Sequence, residues 1–429
     1  MDEYEAPADR AFRAEVRDWL ETALSGDFAH ARGLGGPGRE HEAFPERLAW
    51  ERHMAAGGWT CLGWPEEHGG RGATVAQQVI FNEEYALANA PARVGHIGEN
   101  LLGPTILAFG TDAQRARFLP PIAAVEELWC QGYSEPDAGS DLANVQTRAA
   151  LDGGDWVIDG QKVWTSLAVE ADWCFAVCRT EPGSSRHRGL SYLLVPMRQP
   201  GVDIRPIVQL TGTSEFNEVF FDGARTDAAN IVGAPGDGWR IAMATLGFER
   251  GVATLGQQVG FRRELDGVVE LARRTGAIDD PLLRDRLVRA HMGLEIMRLN
   301  ATRTMAGVEA GAPGPESSIS KLVWGTWHRE LGELAMDVLG AAGTVADGAP
   351  YELNDWQRLF LFSRADTIYA GSNEIQRNII AERVLGLPRD PAPAASAPTA
   401  STSSASTSSA STSSASTSSA STSSREARG

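Results

Sequence analysis

The spacing of apolar residues changes twice along this chain, and that change constrains its fold more than any single motif. From Ala11 to Leu24 the apolar positions Phe12, Val16, Leu20 and Leu24 recur at helical spacing. Further helices are expected from Phe44 to Ala55, from Val75 to Leu87 and from Asp112 to Leu119. The last would be capped by Thr111 or Asp112 and ended by Pro120-Pro121. Between about Leu128 and Val232 short β-prone runs take over. "DWVIDGQKVWTS" puts Trp156 and Ile158 on one face and offers Asp159-Gly160 as a turn before the next strand. "ADWCFAVCRT", "SYLLVPM", "VDIRPIV" and "NEVFFDG" follow with turn residues between them, so a single β domain of seven or eight strands is expected. Helical periodicity returns at Gly238 and persists to Arg383, with breaks at Thr275–Asp280, Gly311–Ser318 and Ala341–Pro350. Four antiparallel helices would bury those faces. From Ser401 the pentad Ser-Thr-Ser-Ser-Ala repeats, a composition that cannot build a core and is expected to form a disordered extension.

The expected architecture is therefore α+β and multidomain. Residues 1–127 form an N-terminal helical domain, 128–234 a central β domain, 235–388 a C-terminal four-helix bundle, and 389–429 an Ala/Ser/Thr-rich tail. Lys+Arg of 39 against Asp+Glu of 56 gives a net charge of -17, which argues against a nucleic-acid partner. No apolar run approaches the roughly 18 residues of a membrane span. The start, Met-Asp-Glu-Tyr-Glu, lacks a basic region and an apolar stretch, so the expectation is a cytoplasmic protein that is not transmembrane. Cys61, Cys130, Cys174 and Cys178 contain no CxxC, and they read as small buried apolar side chains rather than a disulfide framework or a metal site.

Four segments are candidates for chemistry. "GLGGPG", Gly33 to Gly38, formally satisfies GxGxxG but follows a helical stretch and encloses Pro37, so it fails the strand–turn–helix context of a dinucleotide fingerprint. "WCQGYSEPDAGSDL", Trp129 to Leu142, offers Gly132, Gly139 and Ser140 for close backbone approach. Its Ser134, Ser140 and free amides can donate to phosphate or ring oxygens, although an ordinary β-edge loop reads the same way. From Trp239 the positions Trp239, Ala242, Leu246, Val252 and Gly256 share a helical face, and Glu249 falls in that stripe. A carboxylate there is either a general base with a raised pKa or half of a buried ion pair. In "DTIYAGSNEIQRNI", Asp366 to Ile379, Gly371-Ser372-Asn373 breaks one helical region and starts another, which is a helix–loop–helix corner or a site for a group at the new helix start.

In combination, "YSEPDAGSDL", "GQKVWTS", "GWRIAMATLGFERG" and "IYAGSNEIQRNIIAERVLG" resemble the acyl-CoA dehydrogenase family, over nearly all of the chain up to about Pro388. The resemblance implies an N-terminal helical domain, a β-barrel-like middle domain, a C-terminal four-helix domain, bound FAD and a tetramer. Carried over by residue, it implies that Tyr133 and Ser134 meet the flavin ring, that Ser140 (with Gly139) contacts pyrophosphate, and that Trp164 and Ser166 pack beside the ring near N5. It also places Gly371, Ser372 and Asn373 in the cofactor site, and Arg250 and Tyr369 against substrate. Most members carry their catalytic glutamate directly after the Tyr of "IYEG", where this chain has Ala370. A minority place it on the helix bearing a Glu-Arg pair, and Glu249-Arg250 stands there. The usual "RxxFG" arginine is missing, with Arg262 and Arg263 nearby, and "VLGAAGTVADG" replaces the usual Gly-rich nucleotide contact.

The reaction so implied is α,β-dehydrogenation of an acyl-CoA to the trans-2-enoyl-CoA. Glu249 is the base, the backbone N–H of Ala370 stabilises charge on the thioester oxygen, and an electron-transferring flavoprotein takes the electrons. The same sequence admits a catalytically silent or half-site subunit of a heterotetramer in place of a homotetramer, and a flavin oxidase or monooxygenase on the same scaffold.

Overall fold

The computed structural model describes residues 6–249, 252–309, 317–346 and 352–389, and the Ser-Thr-Ser-Ser-Ala repeats lie outside them. Five helices come first: α1 (Pro7–Ser25), α2 (Phe44–Ala56), α3 (Val75–Leu87), α4 (Gly103–Phe109) and α5 (Asp112–Ala123). α1 buries the four residues that signalled it, Phe12, Val16, Leu20 and Leu24. α5 opens on a capping box, in which the Thr111 hydroxyl accepts the Gln114 N–H at 3.2 Å and Gln114 Oε1 accepts the Thr111 N–H at 3.0 Å. It does not stop at Pro120-Pro121 but runs on to Ala123. The two prolines forfeit their own N–H bonds within a turn of the end, a loss the helix absorbs before it terminates.

Eight strands follow: β1 (Trp129–Gly132), β2 (Arg148–Asp152), β3 (Asp155–Ser166), β4 (Trp173–Arg179), β5 (Leu190–Pro196), β6 (Val202–Ile207), β7 (Phe216–Asp227) and β8 (Ile231–Val232). They form one sheet in the order β6-β7-β3-β2-β4-β5-β8, with β1 parallel to β4. The sheet is not a closed barrel: no ladder among the described residues joins β6 to β8. β8 is only two residues long, and β6 is half exposed along its length, as an edge strand is. Asp159-Gly160 is not the expected turn either. It lies inside β3 at a register slip against β7, while the hairpin turns at Gly153-Gly154, between paired Asp152 and Asp155. Gly160 has φ +152°, and a Cβ there would stand 2.5 Å from Thr147 Oγ1. The glycine thus serves a close approach of backbone and side chain rather than a hairpin.

The C-terminal part comprises α6 (Gly238–Glu249), α7 (Val252–Thr275), α8 (Pro281–Glu309), α9 (Ser317–Leu339), α10 (Asp355–Phe362) and α11 (Asn373–Ile379). α7, α8 and α9 pack together around Phe261, Leu265, Val268, Trp327, Leu331 and Leu334, with α10 against α9. α6 departs from the expected four-helix bundle, because its main partners are β5, the turn Gly98–Leu102 and α4. At its start a Cβ on Gly238 would lie 2.5 Å from the Ser191 backbone of β5, so only glycine allows that contact. The core beneath α6 joins helix and sheet, with Ile241 and Ala242 packed among Trp129, Tyr133, Phe175 and Tyr192. No helix among the described residues is long and apolar enough to cross a membrane.

Candidate active site

β1 hands the chain to the loop 133–141, and two buried charges hold that loop in place. Glu135 accepts the backbone N–H groups of Gln146 (2.5 Å) and Thr147 (2.9 Å) and the Lys162 ammonium (2.8 Å). Lys162, fully buried on β3, also donates to the carbonyls of Tyr133 (3.2 Å) and Val177 (2.8 Å). Burial pushes the Glu135 carboxyl up, but the ammonium beside it and these hydrogen bonds outweigh burial and hold it below the usual range. The Val163 N–H donates to the Ser134 carbonyl at 2.9 Å. Tyr133 and Ser134 are thereby tied to Lys162 and Val163, just before Trp164, while Gly139 and Ser140 lie exposed further along the loop. Sequence reasoning missed Glu135 and Lys162, although both stand inside the quoted motifs. Only two of the 39 basic residues are lysines, Lys162 and Lys321, and a lone lysine within an apolar strand was the available signal.

Trp164 leaves the β3 ladder at a bulge, where the register slips between Lys162 and Thr165. Its φ is +61°, that of Leu167 is +56°, and Trp164 as a whole is 57% exposed. Each non-glycine residue in this conformation costs roughly 1–2 kcal/mol, and such strain collects at ligand sites. Between them the Thr165 hydroxyl is buried with no hydrogen-bond partner, and so is the amide nitrogen of Gln131 on β1.

The Tyr133 ring stands edge-on to Phe175 (5.9 Å) and Tyr192 (6.2 Å). The Tyr192 hydroxyl is reached at 3.4 Å by Thr245 of α6, which shares a hydrogen bond of 2.8 Å with Thr105 of α4. Ile241, Ala242 and Thr245 are fully buried, whereas Trp239 and Leu246 of the expected stripe are only partly so. The buried face of α6 is therefore turned slightly from the one read in the sequence. Position 249 follows Thr245 by one helical turn and lies on that same face. The side chains of Glu249, Val252 and Gly256, and Arg250 altogether, lie outside the described residues.

The segment before α11 forms a second group against α9. After a 3-10 turn at Ala365–Thr367, Ala370 takes φ +51° and Gly371 φ +87°, and the Ala370 N–H makes no hydrogen bond to any described residue. Ser372 caps α11 through the Ile375 N–H (3.4 Å). Asn373 donates to Thr326 (3.2 Å), while its buried Oδ1 has no partner. Arg262 is engaged with His291 (2.9 Å) and Glu295, and Arg263 with the Ala86 carbonyl (3.0 Å).

Sequence profiles of three domains match consecutive stretches of the chain: acyl-CoA dehydrogenase, N-terminal domain, over residues 6–126; middle domain, over 130–224; and C-terminal domain, over 236–385. The chain belongs to the acyl-CoA dehydrogenase family. This dehydrogenase is 68% identical over 380 residues to acyl-CoA dehydrogenase IpdE1 of Mycobacterium tuberculosis, covering 88% of the chain and 98% of that protein. It is 65% identical to the Mycolicibacterium smegmatis protein of the same name, at the same coverage. Among solved structures, the "Tcur3481-Tcur3483 steroid ACAD" superposes with a TM-score of 0.78 at 30% identity, covering 91% of the chain and 100% of that one. The ChsE4-ChsE5 complex from Mycobacterium tuberculosis gives 0.74 at 33% identity, covering 90% and 99%.

Proposed function

We propose that this acyl-CoA dehydrogenase converts an acyl-CoA thioester to the trans-2-enoyl-CoA, with FAD as cofactor and an electron-transferring flavoprotein as electron acceptor. The observation that carries the reading is the buried face of α6. Position 249, the one of the two family base positions at which this chain carries a carboxylate, lies on the face that Thr245 ties through Tyr192 toward Tyr133. The residues around Tyr133 suit a flavin. The exposed Trp164 offers a flat wall, and the partnerless Thr165 hydroxyl and Gln131 amide are groups that a polar ring edge would satisfy. Ser134, Ser140 and Ser166, and on the other side Gly371, Ser372 and Asn373, would complete its contacts.

FAD, when bound, supplies the acceptor for the hydride leaving the β-carbon. The rest of the chemistry falls to the chain. Glu249 takes the α-proton, and the free N–H of Ala370 donates to the thioester oxygen where negative charge develops. The methyl group at position 370 leaves that amide in place, so moving the base to α6 costs the oxygen-binding group nothing. Arg250 and Tyr369 contact the substrate. The assembly is read as a tetramer, of this chain alone or with a related subunit. In support, α8 exposes Val288, Met292, Ile296 and Leu299 at helical spacing, and a similar solved protein is a complex of ChsE4 with ChsE5.

The test is single-turnover flavin reduction against a panel of straight-chain, branched and ring-bearing acyl-CoA thioesters. Glu249→Gln is expected to retain FAD and to lose at least roughly 10²-fold in rate with the best thioester. A rate within about threefold of the parent would place the base elsewhere. Rapid reoxidation of the reduced protein by air would favour an oxidase instead.

A further inference from the structure

A histidine that the mechanism does not use lies buried one step from the Ala370 turn. His328 of α9 keeps 4% of its side chain exposed, between Glu264 of α7 (Nε2 to Oε2, 2.8 Å) and Asp366 (Nδ1 to Oδ2, 2.6 Å). Both ring nitrogens face carboxylate oxygens, which can only accept, so both must carry protons and the ring is a cation. Burial alone would favour the neutral ring. The Glu264 charge and the hydrogen bonds to Asp366 and Glu264 outweigh it and push the group up to about 10. Phe261 covers the ring at 4.6 Å.

Asp366 passes this anchor on. Its second oxygen accepts the Tyr369 hydroxyl at 2.5 Å, and its backbone carbonyl accepts the Lys321 ammonium, which lies over the rings of Trp324 (4.6 Å) and Tyr369 (5.3 Å). One carboxylate thus joins a cation in the helical core to the residue immediately before Ala370. Glu264, Asp366, Tyr369 and Lys321 are the titratable groups that meet around it.

We propose that His328 is a positioning residue for the dehydrogenation: acting through Asp366 and Tyr369, it fixes the turn that aims the Ala370 N–H. The inference rests on the reading of that N–H as the donor to the thioester oxygen. Without the cation, the buried Asp366 carboxylate loses its charge partner and turns away, and the Tyr369 hydroxyl loses its acceptor. A displacement of about 1 Å in such a donor is enough to lose about 10²-fold in rate.

The experiment compares His328→Gln, Tyr369→Phe and the double variant, each loaded with FAD, using the panel thioester that reduces the parent fastest. His328→Gln is expected to slow flavin reduction by about 10-fold or more, with the half-saturating concentration changed less than about threefold. Because both residues act through Asp366, the double variant should be little slower than the slower single one. Amide exchange over residues 366–372 should rise about 10-fold in His328→Gln while that of β4 and β5 stays as in the parent. Losses that multiply in the double variant would overturn the proposal, since a packing role alone gives that result. Unchanged exchange at 366–372 would overturn it too, and does so even if no thioester of the panel reduces the parent, which would sink the functional reading separately. If His328→Gln does not fold, Glu264→Gln replaces it, because that side chain is about one-third exposed and its loss weakens the same cation.

Discussion

Glu135 and Lys162 hold the loop 133–141 in place from beneath it. Neither charge faces water, and each satisfies backbone groups that would otherwise be buried unpaired. Removing one member strands the other, a loss of about 3–5 kcal/mol for a buried pair. Lys162→Met is therefore expected to lower the melting temperature by roughly 5–10 °C and to purify with less FAD, while Lys162→Met combined with Glu135→Leu recovers part of the loss. Differential scanning fluorimetry and the visible spectrum read both effects, and a single variant as stable as the double would refute the argument. Pairs like these are illegible in a sequence because the partners are far apart: 27 residues here, 38 and 64 for the two contacts of His328. What was legible at this scale was chemistry confined to a few neighbours, such as the Thr111–Gln114 cap.

Between elements, the glycine loop that failed as a nucleotide fingerprint has a structural task. Residues 33–43 fold over Arg47, which donates to the Glu40 carbonyl (2.5 Å), and dock on the loop before β7, where His41 reaches the Ser214 carbonyl (2.6 Å). Glu40 Oε2 and Glu215 Oε1 are both buried there without a hydrogen-bond partner. Burial first, then the neighbouring Glu215 carboxyl, push the Glu40 carboxyl up to about 8. A carboxyl raised in the folded state adds stability that is complete below its unfolded value of about 4.5 and is lost as pH climbs through about 8. Stability should thus fall across that window, by at most about 1.4 kcal/mol per pH unit from this group. Glu40→Gln, which keeps a donor but cannot ionise, should melt several degrees higher than the parent at pH 9 and no higher at pH 4. Parallel melting curves for the two proteins across that range would exclude a raised Glu40 carboxyl. The phase of α6 was misread at this same scale. An apolar stripe gives a helix but not its neighbours, and contact with both β5 and α4 brings Thr245 inward and leaves Trp239 and Leu246 at the margin.

For the whole molecule, the order of helices, strands and helices could be read from periodicity, because each period reports which faces are buried. Closure of the sheet could not, since it depends on the pairing of two edge strands that no local pattern encodes. Removal of residues 390–429 is expected to leave flavin reduction unchanged and to shift melting by less than about 3 °C, because Ser-Thr-Ser-Ser-Ala repeats supply nothing to a core; a larger shift would assign them a contact. The scarcity of lysine has a consequence of another kind. Thioesters acylate free amines without any enzyme, and a protein that holds acyl-CoA in its site meets them at high local concentration. Here Lys162 is sealed beneath the loop 133–141 and Lys321 under Tyr369, while arginine, whose guanidinium is a poor nucleophile, supplies every other basic side chain apart from the histidines. The surface presents no ε-amino group for its own substrate to modify.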